Sequence, residues 1–284
     1  MVSCAEALAA AQREGLDRLD AQWLLLHVLG KPLRDRPWLL AHDGDPLTDE
    51  AAGRFQQLSA RRAAGEPLSY LVGTKEFFGL TLQVDPRVLV PRPDTETLVT
   101  WASERLKAAE LPRAPRVLDL GTGSGAIALA LKHGFPALDI TAVDRSPDAL
   151  EVARANAQAH QLDVRFLESS WFEHVSGAFH VIASNPPYVA DADPHLTALV
   201  HEPLEALTAG HDGLDDIRQI VAQAPTHLRG EGWLLLEHGY DQAAAVRGLL
   251  ADRGFVEVQS RQDLAGLDRC SGGRWPGTTR QTAG

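Results

Sequence analysis

The spacing of hydrophobic and polar positions changes twice along this chain. Residues 1–75 read as helices. Ser3 and Glu6 stand at capping-box spacing, and Gly15 closes the first segment. A second helix puts Leu16, Leu19, Trp23 and Leu26 on one face and stops at Gly30, and a third, over 49–64, aligns Ala51, Phe55 and Leu58. Residues 76–90 are strand-like on either side of Asp85-Pro86, which predicts a hairpin linker turning there. Pro91-Arg-Pro-Asp-Thr-Glu96 then opens a helix that runs to Lys107. From Arg116 onward, apolar runs at 116–120, 140–143, 164–167, 180–183, 233–237 and 255–259 alternate with helical segments such as 147–158 and 242–252. That alternation predicts an α/β, doubly wound, mainly parallel sheet over 91–284, preceded by a small helical domain over 1–75. Ligands of such sheets bind beyond the carboxyl ends of the strands. Two segments stay open: the glycine-rich tail from Ser271 reads as a frayed end or a last edge strand, and the helical domain as a packing unit or a substrate-recognition unit.

Composition narrows the partners. The 284 residues are 44% hydrophobic and 23% charged, an ordinary globular balance. Residues 1–75 hold 9 basic and 10 acidic side chains and the remainder 18 and 28, so nearly all of the net charge of −11 lies in the α/β part. A surface that grips nucleic acid by its phosphates is usually basic, so direct nucleic-acid binding is not expected. The two cysteines, Cys4 and Cys270, allow no disulfide framework or zinc spacing, and the 11 histidines form no ligand cluster, so no metal is expected. No apolar run approaches a membrane span, and the N-terminus lacks a basic segment followed by an apolar core. These features point to a cytoplasmic protein, taken as a monomer.

The chemistry sits at strand ends. Strand 180–183 runs into Ser184-Asn185-Pro186-Pro187-Tyr188. Two prolines remove backbone donors and end ladder pairing, which leaves carbonyls free to accept. The Asn185 side-chain oxygen and the Pro186 carbonyl then suit the two hydrogens of a planar NH2 group, and Tyr188 suits stacking on its plane and on an incoming cation. An amide nitrogen is a poor nucleophile, so orientation matters; in well-aligned systems it supplies roughly 7–11 kcal/mol. The loop Gly121-Thr122-Gly123-Ser124-Gly125 follows the first strand. It is Gly-x-Gly-x-Gly, unlike the dinucleotide fingerprint, and no Lys-Ser/Thr pair follows, which excludes a P-loop. Asp119 before the loop suits a cationic ligand. Asp144, 23 residues after Gly121, ends the second strand, where a carboxylate can accept ribose hydroxyls, and Ser146 is free to cap the next helix. Trp171 follows the third strand and lies beside an adenine or in the core. His201-Glu202-Pro203 flanks the target or forms a surface turn. Together the loop and the Asn-Pro-Pro-Tyr segment indicate methyl transfer to an amide or exocyclic amino nitrogen.

These residues resemble the bacterial protein-(glutamine-N5) methyltransferases that act on class 1 peptide chain release factors. The resemblance spans nearly the whole chain. It is carried by the helical N-terminal region, 91–96, the 121–125 loop, Ala142-Val-Asp-Arg145, Ser184–Tyr188, Glu202-Pro203 and Asp263-Leu-Ala-Gly266. It implies S-adenosylmethionine as methyl donor, released as S-adenosylhomocysteine, and the glutamine of a Gly-Gly-Gln motif as acceptor. It places the donor on Gly121, Thr122, Gly123, Ser124, Gly125, Asp144, Trp171 and Asn185, and the target on Asn185, Pro186, Pro187 and Tyr188, with Asn185, Pro186 and Tyr188 catalytic. The family often has an acidic residue before the tryptophan, where this chain has Ser170. Asn-Pro-Pro-Tyr also occurs in enzymes that methylate N6 of adenine or N2 of guanine in DNA or RNA, which is the alternative reading.

Overall fold

The computed structural model of the chain describes residues 2–108 and 114–276. The chain divides into two compact units, Met1–Thr74 and Lys75–Gly284. The first is all helical: α1 (Cys4–Arg13), α2 (Arg18–Val28), α3 (Arg36–Ala41), α4 (Asp49–Ala63) and α5 (Leu68–Val72). The Ser3–Glu6 capping box forms, with each side chain bonding the other residue's backbone N–H. Helix α2 starts later than its apolar pattern suggested, because Asp17 caps it by accepting from Leu19 and Asp20. It touches the other four helices. Ala21, Gln22, Leu24, Leu25 and Leu26 are therefore buried, while Leu19 and Trp23 are only half-buried. A central helix is covered around its girth, so a single-face pattern misplaces its core.

The second unit begins with a two-stranded sheet, β1 (Thr74–Phe77) and β2 (Leu80–Gln83). Its turn is at Phe78-Gly79, both with positive φ, and not at Asp85-Pro86. Residues 87–92 are not strand. Helix α6 (Glu96–Ala108) follows a single 3-10 turn at Pro93–Thr95. The large sheet then assembles from β3 (Arg116–Leu120), α7 (Ala126–Gly134), β4 (Asp139–Asp144), α8 (Pro147–Ala159), β5 (Arg165–Glu168) and β6 (Phe179–Ser184). It is completed by α9 (Asp215–Gln223), β7 (Leu228–Glu237), α10 (Ala243–Arg253), β8 (Val256–Gln262) and β9 (Asp268–Arg274).

The sheet order is β5-β4-β3-β6-β7-β9-β8, with the first five strands parallel and β9 antiparallel to both neighbours. Two apolar layers cover its faces, one centred on α6 and α7 and the other on α9 and α10. This is the doubly wound architecture expected from the alternation. Residues 271–274 are neither frayed nor at the edge, because they belong to β9, an interior strand. Gly272 explains why glycine is required there, since a Cβ would lie 2.6 Å from the Leu234 carbonyl oxygen and 3.0 Å from Trp101. The part of the tail beyond Pro276 lies outside the described residues. No helix among the described residues is long and apolar enough to cross a membrane.

Candidate active site

Strand order reverses at β3, with β4 on one side and β6 on the other, so the crevice at the carboxyl ends of β3 and β6 is where a ligand is received. The register makes this concrete. Leu120 pairs with Val143 on one side and with Ser184 on the other, while Ser184 pairs with Leu236. One step further along each strand stand Gly121, Asp144, Asn185 and Glu237, side by side across the sheet edge.

The loop after β3 is built by glycine. Gly121, Gly123 and Gly125 have φ of 68°, 53° and 85°, a region that side chains rarely enter, and Gly125 is the left-handed N-cap of α7. Asp119 holds this loop from below, accepting from Thr122 Oγ1 (2.6 Å) and from the Ala128 N–H (3.1 Å). It is fully buried and lies outside the cleft lining. Its role is to tie the loop to α7, which replaces the direct ligand contact suggested by its place in sequence. Burial, opposed by those two hydrogen bonds, pushes its pKa from the ordinary 3.8 to about 7. A raised carboxyl pKa stabilises the fold most below its free value, and this contribution is lost as pH rises through the folded value. Wild-type protein is therefore expected to lose stability relative to Asp119→Asn between about pH 4 and 7, as read by urea unfolding along a pH series. Parallel stability curves for the two proteins would refute the assignment.

Asp144 sits in the cleft with Oδ2 accepting from the Gly123 N–H (2.8 Å) and Oδ1 from the Ser146 N–H (3.0 Å). Ser146 caps α8 through the Ala149 N–H, as its position suggested. A carboxylate has about four acceptor sites, so two remain for a ligand's hydroxyls. Trp171 lines the same cleft. Its φ of 48° is a left-handed outlier for a bulky residue. The turn is held by Ser169 Oγ donating to the Trp171 carbonyl (3.1 Å) and by the indole Nε1 donating to Asp216 Oδ1 (3.2 Å). The ring lies over Gly121, where a Cβ would come within 3.4 Å of it.

Gly121, Thr122, Gly123, Ser124, Asp144, Trp171, Asn185 and Pro187 all line one cleft of about 980 Å³, part of it open to solvent. Gly125, Pro186 and Tyr188 are not in its lining. Pro186 is buried. Tyr188 packs against the α9–α10 layer and donates its hydroxyl to Glu237 Oε1 (3.3 Å), and burial followed by the Glu237 charge raises its pKa strongly. Asn185 Nδ2 donates to Thr95 Oγ1 (3.3 Å), leaving its oxygen as an acceptor.

Other groups reached the site without a clear sequence signal. Thr95 and Asp216 line the cleft, and Glu237 is buried next to Asn185 in register. A carboxylate closing the apolar run Trp233–Leu236 was the available signal for Glu237. Glu202 is not in a surface turn: it is buried, accepts from the Val90 N–H (3.1 Å) and pairs with Arg92, which pins the 90–92 segment, while Pro203 lines the cleft. Asp263 closes the β8–β9 turn by accepting from Ala265 and Leu267 and pairing with Arg269.

The residues present fit S-adenosylmethionine. Gly123 has nothing within 4 Å of a built Cβ, so the loop backbone is open to a ligand. Asp144, Glu205 and Asp216 supply acceptors for hydroxyls and an amine, and the indole supplies an apolar face. No group of three or more His, Cys, Asp or Glu placed to hold a metal occurs among the described residues.

Residues 101–212 match the family model of the methyltransferase small domain. The fold is shared with the T. thermophilus 16S rRNA N2 G1207 methyltransferase solved with AdoMet and guanosine, at 21% identity and a TM-score of 0.54, covering 71% of this chain and 49% of that one. Fold and cleft thus define an S-adenosylmethionine-dependent methyltransferase of the doubly wound α/β class. Residues 2–73 match the model of the PrmC N-terminal domain. The chain is 49% identical to the release factor glutamine methyltransferase of Xylella fastidiosa (strain Temecula1) over 95% of this chain and 98% of that one, and 49% identical to that of Burkholderia pseudomallei over 97% of each. It belongs to the release factor glutamine methyltransferase family.

Proposed function

We propose that this protein transfers a methyl group from S-adenosylmethionine to the side-chain amide nitrogen of the glutamine in the Gly-Gly-Gln motif of class 1 peptide chain release factors. The observation that carries the reading is the placement of Asn185 in the cofactor cleft, one residue beyond a strand in register with the glycine loop, with its amide nitrogen already engaged by Thr95. When bound, S-adenosylmethionine supplies an electrophilic methyl group on a sulfonium. Gly121, Thr122, Gly123 and Ser124 offer backbone to it, Asp144 accepts from its hydroxyls, and Trp171 packs on its base. The Asn185 oxygen and the Pro186 carbonyl accept the two amide hydrogens of the target. This orients the nitrogen and stabilises the positive charge that develops on it. No strong base is required, because the methylated nitrogen is acidic and releases its proton late. Tyr188 lies outside the cleft lining and is taken to brace the Asn185–Pro187 segment from the core side, its hydroxyl held by Glu237.

The helical unit is assigned to recognition of the protein partner, and the enzyme is taken to act as a cytoplasmic monomer without binding nucleic acid directly. The test is mass spectrometry of unmethylated release factor after incubation with the protein and S-adenosylmethionine, with total RNA and DNA as parallel acceptors. One added methyl on the Gly-Gly-Gln glutamine is expected. Label entering nucleic acid and not the protein would replace this reading with base methylation.

A further inference from the structure

Glu237 is the last residue of β7, has no exposed surface and does not line the cleft, so a ligand contact does not account for it. A fully buried carboxyl is costly unless its hydrogen bonding serves a purpose. Its Oε1 accepts from the Tyr188 hydroxyl (3.3 Å). The buried Thr95 hydroxyl is a second donor beside this carboxyl, and Oε2 has no hydrogen-bond partner among the described residues. Thr95 Oγ1 in turn accepts from Asn185 Nδ2 (3.3 Å).

A hydroxyl has one proton to give. If Thr95 gives it toward Glu237, it can only accept from Asn185. The Asn185 amide must then turn its NH2 to Thr95 and its oxygen to the cleft. An acceptor carboxylate at 237 thus decides which end of the Asn185 amide faces the target, although the two ends are nearly identical in shape.

We infer that Glu237 is a positioning residue: acting through Thr95, it holds the Asn185 side chain with its oxygen toward the target amide, and it anchors Tyr188 from the same carboxyl. This rests on the proposed glutamine-methylating role of Asn185. Protonated Glu237 becomes a donor. Thr95 is then free to donate to Asn185, and the amide is released to present its NH2 to a substrate that is itself an NH2 donor.

The charged and titratable neighbours set the pH at which this happens. Burial raises the Glu237 carboxyl to about 7, opposed by the Thr95 and Tyr188 hydroxyls and by Arg269 on β9, and assisted by Asp94 in the Pro93–Thr95 turn. Cys270, its ladder partner on β9, is buried and held well toward the neutral thiol, first by burial and then by the Glu237 charge. His238, next in the chain, is taken up by the Gly239 carbonyl and Ser271 Oγ.

Glu237→Gln keeps the shape but lets residue 237 donate to Thr95. Turnover and KM for release factor would be measured from pH 6 to 9, with S-adenosylmethionine affinity by calorimetry and folding by thermal denaturation. Glu237→Gln is expected to lower kcat by on the order of 10²-fold, the scale of misplacing a reacting group, with KM and cofactor affinity nearly unchanged. The fall in wild-type kcat below about pH 7 is expected to vanish in the variant, and Glu237→Asp to recover part of the rate and keep the pH limb. Thr95→Val should reproduce the loss and Thr95→Ser should not, which tests the relay even if Glu237→Gln fails to fold. Wild-type kcat in Glu237→Gln or in Thr95→Val, or cofactor affinity falling in step with kcat, would overturn the inference. Wild-type enzyme that leaves the release factor unmethylated would instead overturn the function on which it rests.

Discussion

Replacing Asn185 with alanine is expected to lower kcat for glutamine methylation by about 10²–10³-fold, the range found when a single preorganised polar contact to a reacting centre is removed. The effect is concentrated in kcat because the Asn185 oxygen matters most as the target nitrogen becomes tetrahedral and positively charged. The strand it follows is secured independently: Ser184 is buried and donates to the Leu120 carbonyl (2.8 Å), and β6 is paired on both sides. The variant should therefore fold. Single-turnover kinetics with purified release factor and saturating S-adenosylmethionine isolate the step. Unchanged turnover in a folded variant would remove Asn185 from the chemistry and, with it, the amide-clamp mechanism.

Asp144→Ala is the second large effect, and it falls on cofactor binding. Hydrogen bonds to a charged group contribute about 1.5–3 kcal/mol, which corresponds to a Kd for S-adenosylmethionine weakened by roughly 10–10²-fold. Two losses combine in this variant. The acceptors for ribose hydroxyls disappear, and so do those that hold the Gly123 and Ser146 N–H groups and shape the loop. Asp144→Asn separates them, since an amide oxygen can still accept from one backbone N–H while the charge is gone. Calorimetric titration of both variants reads the outcome. Wild-type affinity in Asp144→Ala would show that the ribose is held elsewhere.

Both predictions concern residues that the sequence already singled out, and the reason is local. Asn185-Pro-Pro-Tyr188 and the 121–125 glycines are statements about backbone: a strand that loses its donors, and a turn whose φ of 53–85° residues without a Cβ adopt most readily. Such constraints lie within a few residues of the chain and are readable there. The same holds for the Ser3–Glu6 box, the Ser146 cap and the alternation of apolar runs with helices.

The readings that changed depended on lateral neighbours. Local alternation did not locate the hairpin turn, because strand-like residues occur on both sides of Asp85-Pro86 while the left-handed pair that turns the chain is Phe78-Gly79. Helix α2 was assigned one apolar face because its role as the central helix of its unit depends on four other segments. Glycines 272 and 273 read locally as a frayed end or a last edge strand, whereas Leu234, Trp101 and Phe255 occupy the space a side chain would need there.

The sequence by itself thus determined the class of the sheet, the strand ends that carry chemistry and the residue types at each, since these follow from period, covalent geometry and turn preference. Only the tertiary structure decided which strands lie side by side. It set the register that brings Glu237 and Tyr188, 49 positions apart, to one hydrogen bond beside Asn185, and it turned Asp119 from a ligand candidate into the support of its loop. The physical reason is that lateral strand pairing is selected by the burial of whole faces, a property of the assembled sheet that no local stretch of chain contains.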